Sequence, residues 1–182
     1  QESTGINSDV AIHLKKNLIE SKFDFFCRED EIINKTKYFI GKSLAKVINE
    51  FHSEDCEYKI KFMDSWFHIG KTNSVHEPHI HANCSWCGIY YIETGEEGSG
   101  QTSFRNPAYS TYLDYGSRWL DVHMEAQIKP ENGLLILFPS YLQHHQSIYT
   151  GKKDRIVVAF NAQVWSGDTK QDGVQVKRTK WK

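Results

Sequence analysis

His79-Ile80-His81, followed after a short turn by Trp86-Cys87-Gly88-Ile89-Tyr90-Tyr91-Ile92, decides how the rest of the chain is read. Side chains alternate faces along an extended strand, so the two histidines of His-x-His point the same way. The aromatic and β-branched run behind them has the composition of a strand. A third histidine, His144, stands ahead of the apolar run Arg155-Ile156-Val157-Val158-Ala159-Phe160, with ten residues between it and Arg155. Three histidines from two strands close one face of a metal's coordination sphere and leave the other open, as oxygen chemistry requires. The guanidinium fork of Arg155 suits a carboxylate held beside that metal. Neutral imidazole serves iron, copper, zinc and nickel alike, so the pattern defines a metal site without naming its metal.

Working outward, Tyr58, Ile60 and Phe62 alternate, and Trp66 and His68 follow in one phase. Short strands are expected at 102–104 and 119–128, and buried ones at 133–138 and 155–160, where the apolar runs are continuous. Turn residues separate them at 95–100, 106–107, 130–133 and 150–152. Before this region, Ile32, Ile33, Ile40, Leu44, Val47 and Ile48 recur at helical steps, predicting an amphipathic helix over 28–51 with a weak point at Gly41. A shorter helix is expected around 9–20. The pattern predicts a mainly β fold, a β-sandwich or jelly roll of about eight strands with N-terminal supporting helices, in a single domain. The helical layer would run over about 9–52 and the β core over about 57–165, within residues 1–182.

The net charge of −1 carries no footprint for nucleic acid or an acidic membrane, and no partner of either kind is expected. No stretch is apolar enough to cross a bilayer. The basic residues at 177–182 read as a solvated tail. Four cysteines do not make a dense disulfide framework, and with a redox metal the expected compartment is the cytoplasm. Cys84-Ser85-Trp86-Cys87 invites a zinc or redox reading, but it has no second C-x-x-C and runs into a strand, so structural thiols are the expectation.

Here a family comes into view. His79-Ile-His81-Ala-Asn-Cys-Ser-Trp-Cys-Gly88-Ile-Tyr-Tyr91 resembles the first metal strand of an iron(II)/2-oxoglutarate oxygenase family. Phe138-Pro-Ser-Tyr-Leu-x-x-His144, then Asp154-Arg155-Ile-Val-Val-Ala-Phe-Asn161, resembles its second half, and the likeness spans roughly 65–164. The resemblance implies a double-stranded β-helix that uses iron(II), 2-oxoglutarate and O2, with oxidative decarboxylation coupled to attack on a C–H bond. By position, His79 and His144 resemble the two histidine ligands, and Arg155 the partner of the co-substrate's distal carboxylate. His81 stands where the wider superfamily usually has Asp or Glu, and Val157 where many relatives carry a hydroxyl.

Several neighbours are open candidates. Glu77 and, less so, Glu93 are alternative carboxylate ligands. His145 must face away from His144, and His76 is expected at the pocket entrance or the surface. His68 falls where relatives place a pocket-facing asparagine and either contacts the co-substrate or packs in the core. Tyr90 and Tyr91 take opposite faces; Tyr91 is preferred as the one reaching a carboxylate. Asn73 is a weaker binding candidate, and Asn161 could cap strand pairing. The segments 68–78 and 105–120 are expected as loops shaping the pocket for an amino acid, a peptide or another small polar metabolite. The rival readings are a cupin-type three-histidine dioxygenase that does not use 2-oxoglutarate, and a metal-stabilised β-barrel binding module without catalysis.

Overall fold

The computed structural model describes residues 15–51, 58–95, 99–107, 125–166 and 174–176. The elements are β1 (Lys15–Glu20), a 3-10 turn at Phe25–Cys27, α1 (Glu31–Phe51), β2 (Tyr58–His79), β3 (Trp86–Glu93), β4 (Thr102–Arg105), β5 (Glu125–Ile128), β6 (Leu135–Pro139), β7 (His144–Tyr149), β8 (Arg155–Ser166) and β9 (Val174–Val176). All strand pairings are antiparallel, in the order β5-β4-β7-β2-β8-β3-β6, with β1 and β9 also on β2. The mainly β expectation holds. Among the described residues no helix is long and apolar enough to cross a membrane.

β8 is the spine. It pairs with β2 from Arg155 to Ser166 and with β3 from Ile156 to Ala162. Burial on both faces explains its continuous apolar sequence. Val158, Phe160 and Ala162 face a core shared with Ile40, Leu44, Ala45 and Ile48 of α1. Arg155, Val157 and Ala159 line the cavity on the other side.

The helix begins where its chemistry says. Asp30 Oδ1 accepts the backbone N–H groups of Ile32 and Ile33, at 2.8 and 3.1 Å, and so caps two otherwise orphaned donors. Gly41 does not interrupt it. Toward the N-terminus the helix expected around 9–20 is replaced over its described part by β1, while 9–14 lie outside the described residues. The exposed edge of β2 supplies backbone partners there, and Asn17 takes a left-handed φ of 50°, which an α-helix would not accept.

The segment 68–78, expected as a loop, belongs to β2. Its pairing with β1 skips from Gly70 to Val75, a stretch in which Asn73 is left-handed (φ 63°), and its pairing with β7 shifts register between Ser74 and His76 and again between His76 and His79. Residues 108–124, covering most of the second expected loop and the start of the strand expected at 119–128, lie outside the described residues, as does the 177–182 tail.

Gly88 shows how closely the layers fit. A Cβ there would lie 2.3 Å from Phe160 Cζ and 3.0 Å from the Ile136 carbonyl oxygen. Gly88→Ala is therefore expected to cost about 1–3 kcal/mol through overpacking, read as a lower denaturant midpoint at unchanged slope.

Candidate metal centre and its pocket

His79, His81 and His144 converge as the sequence suggested: one ring nitrogen from each lies within 4.8 Å of the others, and all three residues are buried. Strand pairing does this directly, since His79 sits opposite His144 across β2 and β7. His81 follows the end of β2, its N–H held by the carbonyl of Ser140 at 3.2 Å.

Backbone acceptors set two of the tautomers. His79 Nδ1 donates to the Glu77 carbonyl at 2.8 Å, and His144 Nδ1 donates to the Leu142 carbonyl at 3.0 Å. A carbonyl can only accept, so each Nε2 keeps a lone pair for a metal. His81 Nε2 lies 3.3 Å from His144 Nε2, but its Nδ1 has no partner among the described residues. As a ligand it is the least firmly oriented of the three. The Glu77 carboxylate is exposed and serves the site only through its backbone, and Glu93 is exposed and accepts the Gly95 N–H. Neither carboxylate joins the histidines.

Arg155 reaches the same pocket and is 2% exposed. Its Nη1 donates to Gln146 Oε1 at 2.9 Å, its Cζ lies 5.2 Å from the centre of the Tyr91 ring, and Nε has no hydrogen-bond partner among the described residues. No carboxylate pairs with it among the described residues. Burial weakens its hold on its proton, and Tyr91 and Tyr149 partly offset this. Gly100 packs against it at φ 67°, where a Cβ would lie 3.0 Å from Arg155 Cδ. Such a cation calls for an anion.

Tyr91 is fully buried on the pocket side, with its hydroxyl 2.6 Å from Thr102 Oγ1; Tyr90 packs toward α1 against Phe39. His68 lines the pocket, and its Nε2 lies 2.6 Å from Glu20 Oε2 and 3.0 Å from Trp66 Nε1. Burial would raise the Glu20 carboxyl, but bonds from His68 and Lys15 outweigh it and hold it below its ordinary range. Glu20 carries no signal in the sequence, because only the β1–β2 register sets it opposite His68. Gln146 was legible and overlooked: it is two residues from His144 and shares its face.

His76 departs from expectation. It is buried, stacks on His79 with ring centroids 4.0 Å apart, and lines the pocket. His145 lies on the opposite face from His144, near Glu125. Asn73 is exposed at its turn. Asn161 is buried, accepting from Cys87 Sγ at 3.5 Å, and Cys84 Sγ lies 3.7 Å from Cys87 Sγ.

The site and fold together define a double-stranded β-helix with a buried three-histidine centre and an arginine anchor. The model of the family described as "Putative 2OG-Fe(II) oxygenase" matches residues 64–161, more than half of the chain. The protein belongs to that family, whose cofactors are iron(II) and 2-oxoglutarate. HygX from Streptomyces hygroscopicus, solved with nickel and 2-oxoglutarate bound, is similar in structure at 10% identity, over 86% of this chain and 73% of that one, with a TM-score of 0.55. A Pseudomonas putida prolyl-4-hydroxylase gives 15% identity, 89% and 76% coverage and a TM-score of 0.55. The chain spans half the length of an oxidoreductase of the 2OG-Fe(II) oxygenase family from Burkholderia pseudomallei, which it matches over 65% of itself at 9% identity and a TM-score of 0.48. No curated protein matches the sequence.

The histidines are held neutral. Burial, then the neighbouring His144, brings His79 down to about 3 against the opposing Glu77 bond. Burial with His144 and His79 takes His81 to about 2, and burial takes His144 to about 4. The unfolded chain binds protons at these residues near the ordinary 6.5. Between that value and about 4 the unfolded state therefore holds more protons than the folded one. Stability of the metal-free protein is expected to be greatest above pH 6.5 and to fall as the pH drops toward 4. Thermal melts across that interval check this; a flat midpoint would contradict it.

Proposed function

We propose that this protein is an iron(II)- and 2-oxoglutarate-dependent hydroxylase acting, as one domain, on a C–H bond of an amino acid, a peptide or a small polar metabolite. The observation that carries the reading is Arg155, a buried cation with no carboxylate partner among the described residues, in the same pocket as three neutral, convergent histidines. The residues fit the cofactors. Histidine nitrogens suit iron(II), and a buried guanidinium bonded to Gln146 but to no carboxylate among the described residues suits a dicarboxylate.

His79, His81 and His144 hold the metal, with His79 and His144 oriented by their backbone acceptors. Arg155 takes the distal carboxylate of 2-oxoglutarate. Tyr91 supports Arg155 through its ring face, and its hydroxyl, joined to Thr102, is the nearest substitute for the hydroxyl missing at Val157. His68, braced by Glu20, contributes to the co-substrate wall. Iron(II) and 2-oxoglutarate, with O2, supply the oxidising power that places an oxygen atom in the substrate's C–H bond while the co-substrate loses CO2. The chain's own work is binding, orientation and the exclusion of water by the apolar wall of Val157, Ala159 and Phe138.

Anaerobic titration of the metal-free protein with iron(II), then 2-oxoglutarate, tests this. A visible charge-transfer band that appears only after 2-oxoglutarate is the expected result. Iron binding without the band would favour the three-histidine dioxygenase that dispenses with 2-oxoglutarate, and no metal binding at all would remove both enzyme readings. His79→Ala and His144→Ala are expected to abolish iron binding and turnover. His81→Asp should retain metal, since it restores a common ligand type. Arg155→Ala should weaken 2-oxoglutarate about 10- to 100-fold, the usual scale of a charged hydrogen bond, and calorimetry measures it.

A further inference from the structure

We propose that His76 is a further co-substrate-binding residue, donating a hydrogen bond from Nε2 to the metal-facing acid end of 2-oxoglutarate. This assignment rests on the functional reading above and adds to it a residue that the His-x-His pattern does not contain.

The backbone has been bent to bring this side chain inward. His76 pairs with Gln146 across β2 and β7, and His79 pairs with His144, so three steps along β2 match two along β7. Strict alternation would send His76 and His79 to opposite faces. The extra residue, in the Glu77–Pro78 stretch, forms a bulge and turns both histidines into the pocket. The same bulge presents the Glu77 carbonyl to His79 Nδ1 at 2.8 Å. Register shifts on both sides of His76, at Ser74/His76 and at His76/His79, thus set a fourth histidine beside His79, and the second of them also orients His79.

The delivered side chain is not satisfied by the protein. His76 is 8% exposed, and its buried Nε2 has no hydrogen-bond partner among the described residues. Its ring lies against His79 with centroids 4.0 Å apart and planes at 21°, while His68 meets it edge-on at 5.5 Å. Its cross-strand neighbour Gln146 holds Arg155 at 2.9 Å. His76 therefore adjoins both a candidate metal ligand, His79, and the residue that holds Arg155, and it lines the pocket they share. Phenylalanine would stack on His79 equally well without burying an unpaired nitrogen. Burying a lone ring nitrogen here makes physical sense when a ligand completes it, and as the protonated nitrogen it would donate to an oxygen-rich one.

The test compares the parent, His76→Phe and His76→Gln, each loaded anaerobically with iron(II). Iron(II) affinity is measured first, and 2-oxoglutarate affinity follows by calorimetry together with the position of the charge-transfer band. His76→Phe is expected to keep the parent's iron affinity, to bind 2-oxoglutarate about tenfold more weakly, and to shift the band. His76→Gln, which restores a donor, should recover most of that loss. Unchanged 2-oxoglutarate affinity and band in His76→Phe would overturn the assignment while leaving the oxygenase reading intact. So would parallel loss of iron in both variants, which would make His76 a prop for His79. Failure of the parent itself to bind 2-oxoglutarate would instead remove the oxygenase reading, and this assignment with it.

Discussion

The pocket is organised around a positive charge that cannot reach water. Arg155 is almost wholly buried, and a buried ion is tolerated only when its surroundings replace the lost hydration. Three features of the fold work toward that end. Gln146 accepts one N–H and is itself held through its amide by Ser74. Tyr91 offers the electron-rich face of its ring, and Thr102 fixes the phenol that carries it. Gly100 lets the chain close over the stem of the side chain. Among the described residues the guanidinium Nε is still left without a partner. A bound anion would complete the compensation, and under the proposed function that anion is the co-substrate, held by groups from β3, β4, β7 and β8 together.

The metal end is built on the opposite principle. Its polar groups are kept uncharged, by burial and by one another, and their lone pairs are aimed by backbone carbonyls rather than by side chains. Backbone acceptors two residues upstream of His79 and of His144 move with the segment that carries each histidine, so orientation and placement are set together. His81 lacks such an acceptor and lies beyond the end of β2, which accounts for its looser definition.

Much of this was legible in the sequence because the decisive residues obey simple periods. His79 and His81 share a face by alternation, and β8 announces itself by continuous apolarity. The helix is written in the spacing of Ile40, Leu44 and Ile48. What escaped reading depends on pairings between distant segments or on local breaks in period. β1 takes its form from the edge of β2, not from its own propensity, and Glu20 gains a role only through that register. His76 was assigned to the surface or the pocket mouth because nothing local reveals a bulge at Glu77–Pro78. The segment 68–78 contains Gly70, Asn73 and Pro78, residues that usually end strands, yet pairing with three neighbours keeps it in β2.

The two-sided burial of β8 carries a consequence for how such a protein can diversify. Odd-numbered positions such as Val157 and Ala159 look into the pocket, and even-numbered positions such as Val158 and Ala162 look toward the helix. Cavity shape and the packing of the hydrophobic layer are thus carried by interleaved residues of one strand, so that either set can vary while the other is kept. A lineage could reshape the chamber by changing alternate letters of a single short word, without rewriting the hydrophobic layer that keeps it folded.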